Sequence, residues 1–457
     1  MALSIVILAA GQGKRMNSQF PKVLHQLGGK TLLEHVVTSA SKLNSIEPPI
    51  VIYGHQGEQV KHRLAHLNVQ WVEQTQQLGT GHALQQALPF IPDHYSVLVL
   101  YGDVPLIRTD TLKNLFNNTS KEAIGILTAY FSDPTGLGRI IRDSENNIIR
   151  IIEEKDATAE ERAIKEINSG IYLIPARYLK KWLPTLNNQN TQQEYYLTDI
   201  FSIAKKENIF IHNEMPTDYQ EVLGINDRIQ LASLERFYQW DVAKKLMHQG
   251  VTLLDPHRFD LRGHLTVGQD VAIDINVIIE GNVIIGNRCI IGPNTLLRNV
   301  TLGDEVTIHA NSIIDGAEIA SHCVIGPFAR VRPGTQLGQY VHLGNFVETK
   351  NSIIAEATKI NHLSYIGDSD VGSHVNIGAG TITCNYDGIN KNKTVIGNDA
   401  FIGSNTALIA PITIGQGATI GAGSTLTRNA PPEQLTLSRA EQRSLAWSRK
   451  TKKEKES

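Results

Sequence analysis

The residues best suited to phosphate chemistry stand near the start of the chain. Gly11 and Gly13 follow the apolar run Ser4–Leu8, and Lys14, Arg15 and Lys22 bring positive charge close behind. Glycine lets a backbone approach an anion closely, and successive amides in such a turn can surround phosphate oxygens. The turn lacks a P-loop ending and a dinucleotide fingerprint, so taken alone it fits either a nucleotide cradle or a plain strand-to-helix connection. Gln74, shortly before Gly79 and Thr80, carries an amide that can read a base edge. Asp103 stands just beyond the apolar run ending at Tyr101, where a carboxylate can hold Mg²⁺ against a triphosphate or cap a helix. Asn226 precedes a helical stretch and on its own reads equally as an N-cap. In the second half His362 can titrate near neutral pH and serve as a general base, or sit as a hydrogen-bonded coil residue.

Two kinds of element must position these groups. Short apolar runs at 4–8, 49–53, 97–101, 124–129 and 148–152 alternate with helical stretches such as 32–40 and 80–88, which predicts an α/β domain with a largely parallel sheet. From Ile285 to Leu426 the chain counts in sixes instead. Aliphatic residues fall at Ile319, Ile325, Val331, Leu337 and Leu343, and again at Ile396, Ile402, Leu408, Ile414, Ile420 and Leu426. Neither a helix nor simple strand alternation keeps that beat, whereas a parallel β-helix does, with one inward side chain on each flat face. The segment 380–394 interrupts the hexads and predicts a projecting loop that carries Asn385 and Tyr386. Between the halves, Ile229, Leu234, Phe237, Val242 and Leu246 give a helical apolar face with Gly250 as a stop, so the organisation expected is 1–228, a helical linker over 229–250, and 251–457.

Composition narrows the setting. Cysteines occur only at Cys289, Cys323 and Cys384, which makes a disulfide framework or a thiolate metal cage improbable. A net charge of −2 gives no nucleic-acid signal. There is no leader-like run at the start and no stretch of about 20 apolar residues, so the expected location is cytoplasmic and no transmembrane segment is expected. The lysine-rich stretch 449–457 reads as a solvated tail.

As an ordered string, Leu8-Ala9-Ala10-Gly11-Gln12-Gly13-Lys14-Arg15-Met16 followed by Pro21-Lys22-Val23-Leu24 resembles the opening of sugar-nucleotide pyrophosphorylases. Gln77-Leu78-Gly79-Thr80-Gly81-His82-Ala83 and Leu100-Tyr101-Gly102-Asp103-Val104-Pro105-Leu106 extend the likeness. With the connector and hexads included, the whole chain resembles the bacterial bifunctional family that joins a glucosamine-1-phosphate N-acetyltransferase to an N-acetylglucosamine-1-phosphate uridyltransferase. That resemblance implies a Rossmann-like nucleotidyltransferase domain joined by a helix to a left-handed parallel β-helix. It further implies two substrates besides the sugar phosphates, acetyl-CoA and UTP, with Mg²⁺ as cofactor and a homotrimer as the assembly.

The resemblance also implies individual roles. Leu8, Ala9, Ala10 and Gly11 would line the nucleotide site, Lys22 would touch phosphate, and Gln74, Gly79 and Thr80 would read uracil. Tyr101, Gly102 and Asp103 would approach the nucleotide, Gly138, Glu153 and Asn168 the sugar, and Asn226 would join Asp103 at Mg²⁺. In the second half His362 would be the base. Arg332 and Lys350 would meet the sugar phosphate, and Tyr365, Asn376 and Lys391 the acceptor sugar. Ala379, Asn385, Tyr386, Ser404, Ala422 and Arg439 would serve acetyl-CoA or the acceptor, and Glu348 is either the group that orients His362 or an ordinary solvated acid. Gln12 and Lys14 depart from the family's usual opening, which puts nucleotide affinity in question but keeps Gly11, Gly13 and Arg15. Two other readings stay open: a single-function pyrophosphorylase with a structural β-helix, and a silent scaffold. Assays of both reactions separate the three.

Overall fold

Strand Leu3–Leu8, buried along its whole length, is central to a mixed sheet. In the computed structural model, which describes residues 2–54 and 56–448, it pairs in parallel with Ser96–Tyr101 on one side and Ile50–Tyr53 on the other. Gln70–Glu73 extends the sheet in parallel beyond Ile50–Tyr53. A near-continuous apolar run is what a strand covered on both faces requires, and two apolar clusters do cover them. The sequence predicts a largely parallel sheet, and the sheet departs from that in two places. Glu166–Pro175 runs antiparallel between Ser96–Tyr101 and Ile124–Tyr130. The run 148–152 forms an antiparallel hairpin with Arg139–Arg142, because only five residues separate the two segments and no crossover fits in that length.

The connector forms as one helix, Arg228–His248. Leu234 and Leu246 are buried as expected, but Ile229 is 80 % exposed and drops out of the apolar face. Asp227 rather than Asn226 caps the helix, its Oδ1 accepting the Gln230 N–H at 2.8 Å. The chain divides into two compact units between Gln239 and Trp240, within this helix.

The second unit is a parallel β-helix. Leu297 pairs with Ile279 in one neighbouring coil and with Ile314 in the next, 18 and 17 residues away. The hexad aliphatics all point inward and form one continuous core, including Ile319, Ile325, Val331, Leu337, Leu343 and Ile396. Each coil turns on corners in the left-handed backbone region. One corner series runs Asn276, Asn294, Asn311, Phe328, Phe346, Leu363, Gly380, Asn405 and Gly423. The interruption of the hexads is a loop between strands Ile382–Cys384 and Thr394–Ile396, as expected. The stretch 449–457 lies outside the described residues.

Candidate functional site

In the first unit the ends of the parallel strands meet at one cavity of about 560 Å³. Ala9 N–H donates to Ile52 O at 2.8 Å and Gly102 N–H to Leu8 O at 2.9 Å, so the turn after the central strand and the end of Ser96–Tyr101 are fixed side by side. Ligands of such sheets bind outside the carboxyl ends of the strands. Gly13 has φ +61°, and a Cβ there would come within 2.7 Å of Lys22 Cβ, so the missing side chain is what lets Lys22 lie against the turn.

The cavity brings together Leu8, Ala9, Ala10, Gly11, Lys22, Gln74, Gly79, Thr80, Tyr101, Asp103 and Asn226 from the sequence reading. Lys22 Nζ is ion-paired with Asp103 and lies 3.2 Å from Asn226 Oδ1. Two oxygen donors from distant parts of the chain therefore converge on one cation. A carboxylate and an amide oxygen suit a hard divalent ion such as Mg²⁺, which keeps its remaining positions for water and phosphate. No cluster of three His, Cys, Asp or Glu exists among the described residues to make a larger cage.

Gly138, Glu153 and Asn168 do not line that cavity but adjoin one another behind Tyr101. Asn168 N–H donates to Gly138 O at 2.9 Å, and Thr198 Oγ1 donates to Glu153 Oε1 at 3.2 Å. Burial lifts the Glu153 carboxyl above its ordinary value despite that hydrogen bond, and the charges of Asp156, Asp199 and Glu194 push the same way. Burial likewise raises the Tyr101 hydroxyl, followed by the charges of Glu153 and Asp103, while a hydrogen bond with Thr80 opposes. Tyr101 lines that cavity and lies near enough to Glu153 to feel its charge. Sequence reading missed Gln77, Gln192 and Glu194 on the cavity wall. The last two come from a loop with no motif, brought there because Tyr195 N–H donates to Leu78 O and Gly81 N–H to Tyr195 O, both at 2.8 Å.

In the second unit His362 ends strand Lys359–His362 and pairs in register with Asn345 of the preceding coil. Its Nδ1 meets Asn345 Oδ1 at 2.7 Å. A carbonyl oxygen only accepts, so in this contact Nδ1 carries the proton and a neutral ring has Nε2 bare and able to accept one. Glu348 does not orient His362. Its Oε1 holds Arg332 Nη1 at 2.8 Å, because the hexad spacing places both residues on the same outer face of neighbouring coils. Asn345 was missed by sequence reading, although its position one coil before His362 is the signal that finds it.

Lys350 and Lys391 face each other closely enough that Lys350, by hydrogen bonding and by charge, lowers the Lys391 ammonium below its usual value. Asp368 lies beside them. Burial works to raise its carboxyl, but donation from Asn351 and Asn385, with the charges of Lys350 and Lys391, brings it below the ordinary carboxylate range. Asn385 is buried rather than projecting, its Nδ2 shared between Asp368 and the Tyr365 hydroxyl. Tyr386 is exposed and its hydroxyl donates to Gly388 O at 2.6 Å, within the loop. Asn376 lies on strand Asn376–Ile377, paired with Lys359. Ala379, Ser404 and Ala422 follow the registered aliphatics Ile377, Ile402 and Ile420 on three successive coils, and Arg439 Nη1 donates to Ala422 O at 2.8 Å.

Residues 5–167 match a MobA-like NTP transferase domain, and residues 393–428 a bacterial transferase hexapeptide (six repeats). Residues 261–347 match a GMPPB C-terminal domain. The chain is 54 % identical over 452 residues to the bifunctional protein GlmU of Cellvibrio japonicus, covering 99 % of this chain and 100 % of that protein. It is 55 % identical over 454 residues to the GlmU protein of Francisella tularensis subsp. tularensis, with 99 % of each covered. Against that of Methylococcus capsulatus the identity is 53 % over 459 residues, covering 100 % and 99 %.

Proposed function

The chain belongs to the bifunctional GlmU family, and from that membership we propose how two reactions are divided along it. It transfers acetyl from acetyl-CoA to α-D-glucosamine 1-phosphate, then joins N-acetyl-α-D-glucosamine 1-phosphate to the uridylyl group of UTP, giving UDP-N-acetylglucosamine and pyrophosphate. Residues 1–228 carry uridylyl transfer, 229–250 link the domains, and 251–457 carry acetyl transfer.

In the uridylyl site the turn Leu8–Gly11 receives the nucleotide, and Gln74 with Gly79 and Thr80 holds the uracil. A phosphate oxygen of the acetylated sugar attacks the α-phosphorus of UTP, a new P–O bond forms, and the bond to the departing pyrophosphate breaks. Positioning and charge neutralisation suffice, so no protein nucleophile is needed. Mg²⁺, with Asp103 and Asn226 as its protein oxygens, supplies part of that neutralisation when bound. Lys22 supplies positive charge to the triphosphate. Gly138, Glu153 and Asn168 hold the sugar.

In the acetyl site Nε2 of His362 takes a proton from the sugar amine as its nitrogen attacks the thioester carbonyl, and coenzyme A leaves as the thiol. Asn345 keeps the ring in the tautomer that makes this possible. Arg332 and Lys350 hold the sugar phosphate, with Tyr365, Asn376 and Lys391 around the acceptor sugar. Ala379, Asn385, Tyr386, Ser404, Ala422 and Arg439 serve acetyl-CoA or the acceptor. The protein acts in the cytoplasm as a homotrimer; among the described residues no helix is long and apolar enough to cross a membrane.

The observation that carries the reading is the near-complete span of the match, which takes in both units. The full chain should convert glucosamine 1-phosphate to UDP-N-acetylglucosamine only with acetyl-CoA, UTP and Mg²⁺ all present, and N-acetylglucosamine 1-phosphate without acetyl-CoA. Uridylylation with no acetyl transfer would instead mark a single-function pyrophosphorylase on a structural β-helix.

A further inference from the structure

We propose that His82 is a specificity-determining positioning residue of the uridylyl site, latching Gln74 so that its amide carbonyl, not its NH₂ group, faces the base; this rests on the reading of Gln74 as the base reader. Gln74 is 3 % exposed, and its backbone N–H is fixed to Tyr53 O at 2.7 Å. Its side-chain Nε2 meets two acceptors, Gly79 O at 3.2 Å and His82 Nδ1 at 2.9 Å. Turning the amide over would set Oε1 against two lone pairs. Among the described residues Oε1 takes no hydrogen bond, and Gln74 lines the nucleotide cavity, so that oxygen is the group left for a ligand.

The latch depends on a bare Nδ1. A neutral imidazole has one bare nitrogen. Gln86 Nε2 lies 3.3 Å from His82 Nε2, but it also donates to His82 O at 3.1 Å. The shorter contact, from Gln74, places the bare nitrogen at Nδ1. His82 itself is not on the cavity wall, so it acts through Gln74. An acceptor presented by Gln74 pairs with the N3–H of uracil. Cytosine offers a bare N3 at that position and is disfavoured, whereas a flipped amide would accept it.

The test is kcat/KM for UTP and for CTP, each with N-acetylglucosamine 1-phosphate and Mg²⁺, in the full chain and in four variants. His82→Ala should lower the UTP-to-CTP ratio about five- to tenfold, the size expected for one neutral hydrogen bond, mostly through KM. His82→Asn can offer a carbonyl to Gln74 and should restore most of the ratio. A merely structural role would weaken both nucleotides alike and leave the ratio where it was, which would overturn the latch provided that Gln74→Ala does collapse the ratio. If Gln74→Ala also leaves it unchanged, the base-reading assignment beneath the latch falls. Should His82→Ala not fold, His82→Phe removes both ring nitrogens at similar volume and carries the same expectation.

Discussion

At the scale of single residues, the two halves depend on charge in different ways. Asp103 is tied to Lys22 and, through it, to Asn226, so Asp103→Ala removes the only carboxylate of that trio. UTP-dependent product formation should fall on the order of a hundredfold, as expected when one electrostatic stabiliser is lost, with acetyl transfer retained. A metal titration that restores full uridylyl transfer in the variant would defeat the role. His362→Ala should do the reverse, lowering the acetyl-transfer kcat by about 10² to 10⁴ while uridylylation of supplied N-acetylglucosamine 1-phosphate continues. Retained kcat would make water or another side chain the base. Glu153 allows a pH prediction with a definite sign. Its carboxyl is raised in the folded state by burial first, then by neighbouring acids, so the folded form binds its proton more tightly than the unfolded chain does. Its contribution to stability is present below the ordinary carboxylate range and is lost as pH rises through the raised value. Thermal denaturation across that window should show Glu153→Gln losing less stability than the parent, and sugar affinity in uridylyl transfer should drop. An identical pH slope in the two proteins would remove Glu153 as the cause.

Elements explain why some of this was legible and some was not. The hexads fix which side chains face inward, and every aliphatic named in the sequence reading is buried, because a six-residue beat leaves one inward position per flat face. The same beat specifies that residues 17 or 18 apart stack, which is how Asn345 comes to His362 and how Glu348 comes into register with Arg330, beside Arg332 two residues further along the same strand face. A reading along the chain carries no such distance, so it leaves Glu348 open between orienting His362 and a solvated acid and does not find Arg332. In the first unit Gly11 and Asp103 were visible because each follows an apolar run at a strand end, and Gln74 because it stands just before Gly79 and Thr80, whereas Gln192 and Glu194 sit in a loop brought there by backbone bonds to 78–81. Coil stacking also yields a test. A Cβ on Gly344 would overlap the Asn361 carbonyl oxygen, backbone that cannot turn aside. Gly344→Ala should therefore cost about 1 to 3 kcal/mol by overpacking and displace Asn345 from His362. Acetyl transfer should fall well before uridylyl transfer does. Equal loss of both activities would show that the change acts on folding alone.

For the whole molecule, one corner series of the β-helix carries an apolar stripe. Asparagine and glycine tolerate the left-handed region, yet Phe328 and Phe346, both at φ 57°, and Leu363 at φ 47° occupy it in three successive coils. A bulky residue there costs about 1 to 2 kcal/mol relative to glycine. The two phenyl rings stack at 5.3 Å but remain 49 % and 53 % exposed, and Leu363 is 61 % exposed. Phe346 follows Asn345 and Leu363 follows His362, so whatever covers this stripe borders the proposed acetyl site. Another copy of the chain is the occupant that the proposed homotrimer would supply. Phe346→Asp should therefore separate the copies, since a charge replaces apolar contact, without straining the coil, since aspartate accepts the left-handed backbone better than phenylalanine does. Sedimentation should then report a species near 50.4 kDa in place of one three times larger. Acetyl transfer should be lost and uridylyl transfer kept, because every residue lining the nucleotide cavity belongs to the first unit. Phe328→Asp, one coil farther from His362, distinguishes assembly from local damage: it should produce the same dissociation and the same selective loss. Full acetyl transfer by a monomeric variant would show that one chain completes the site alone.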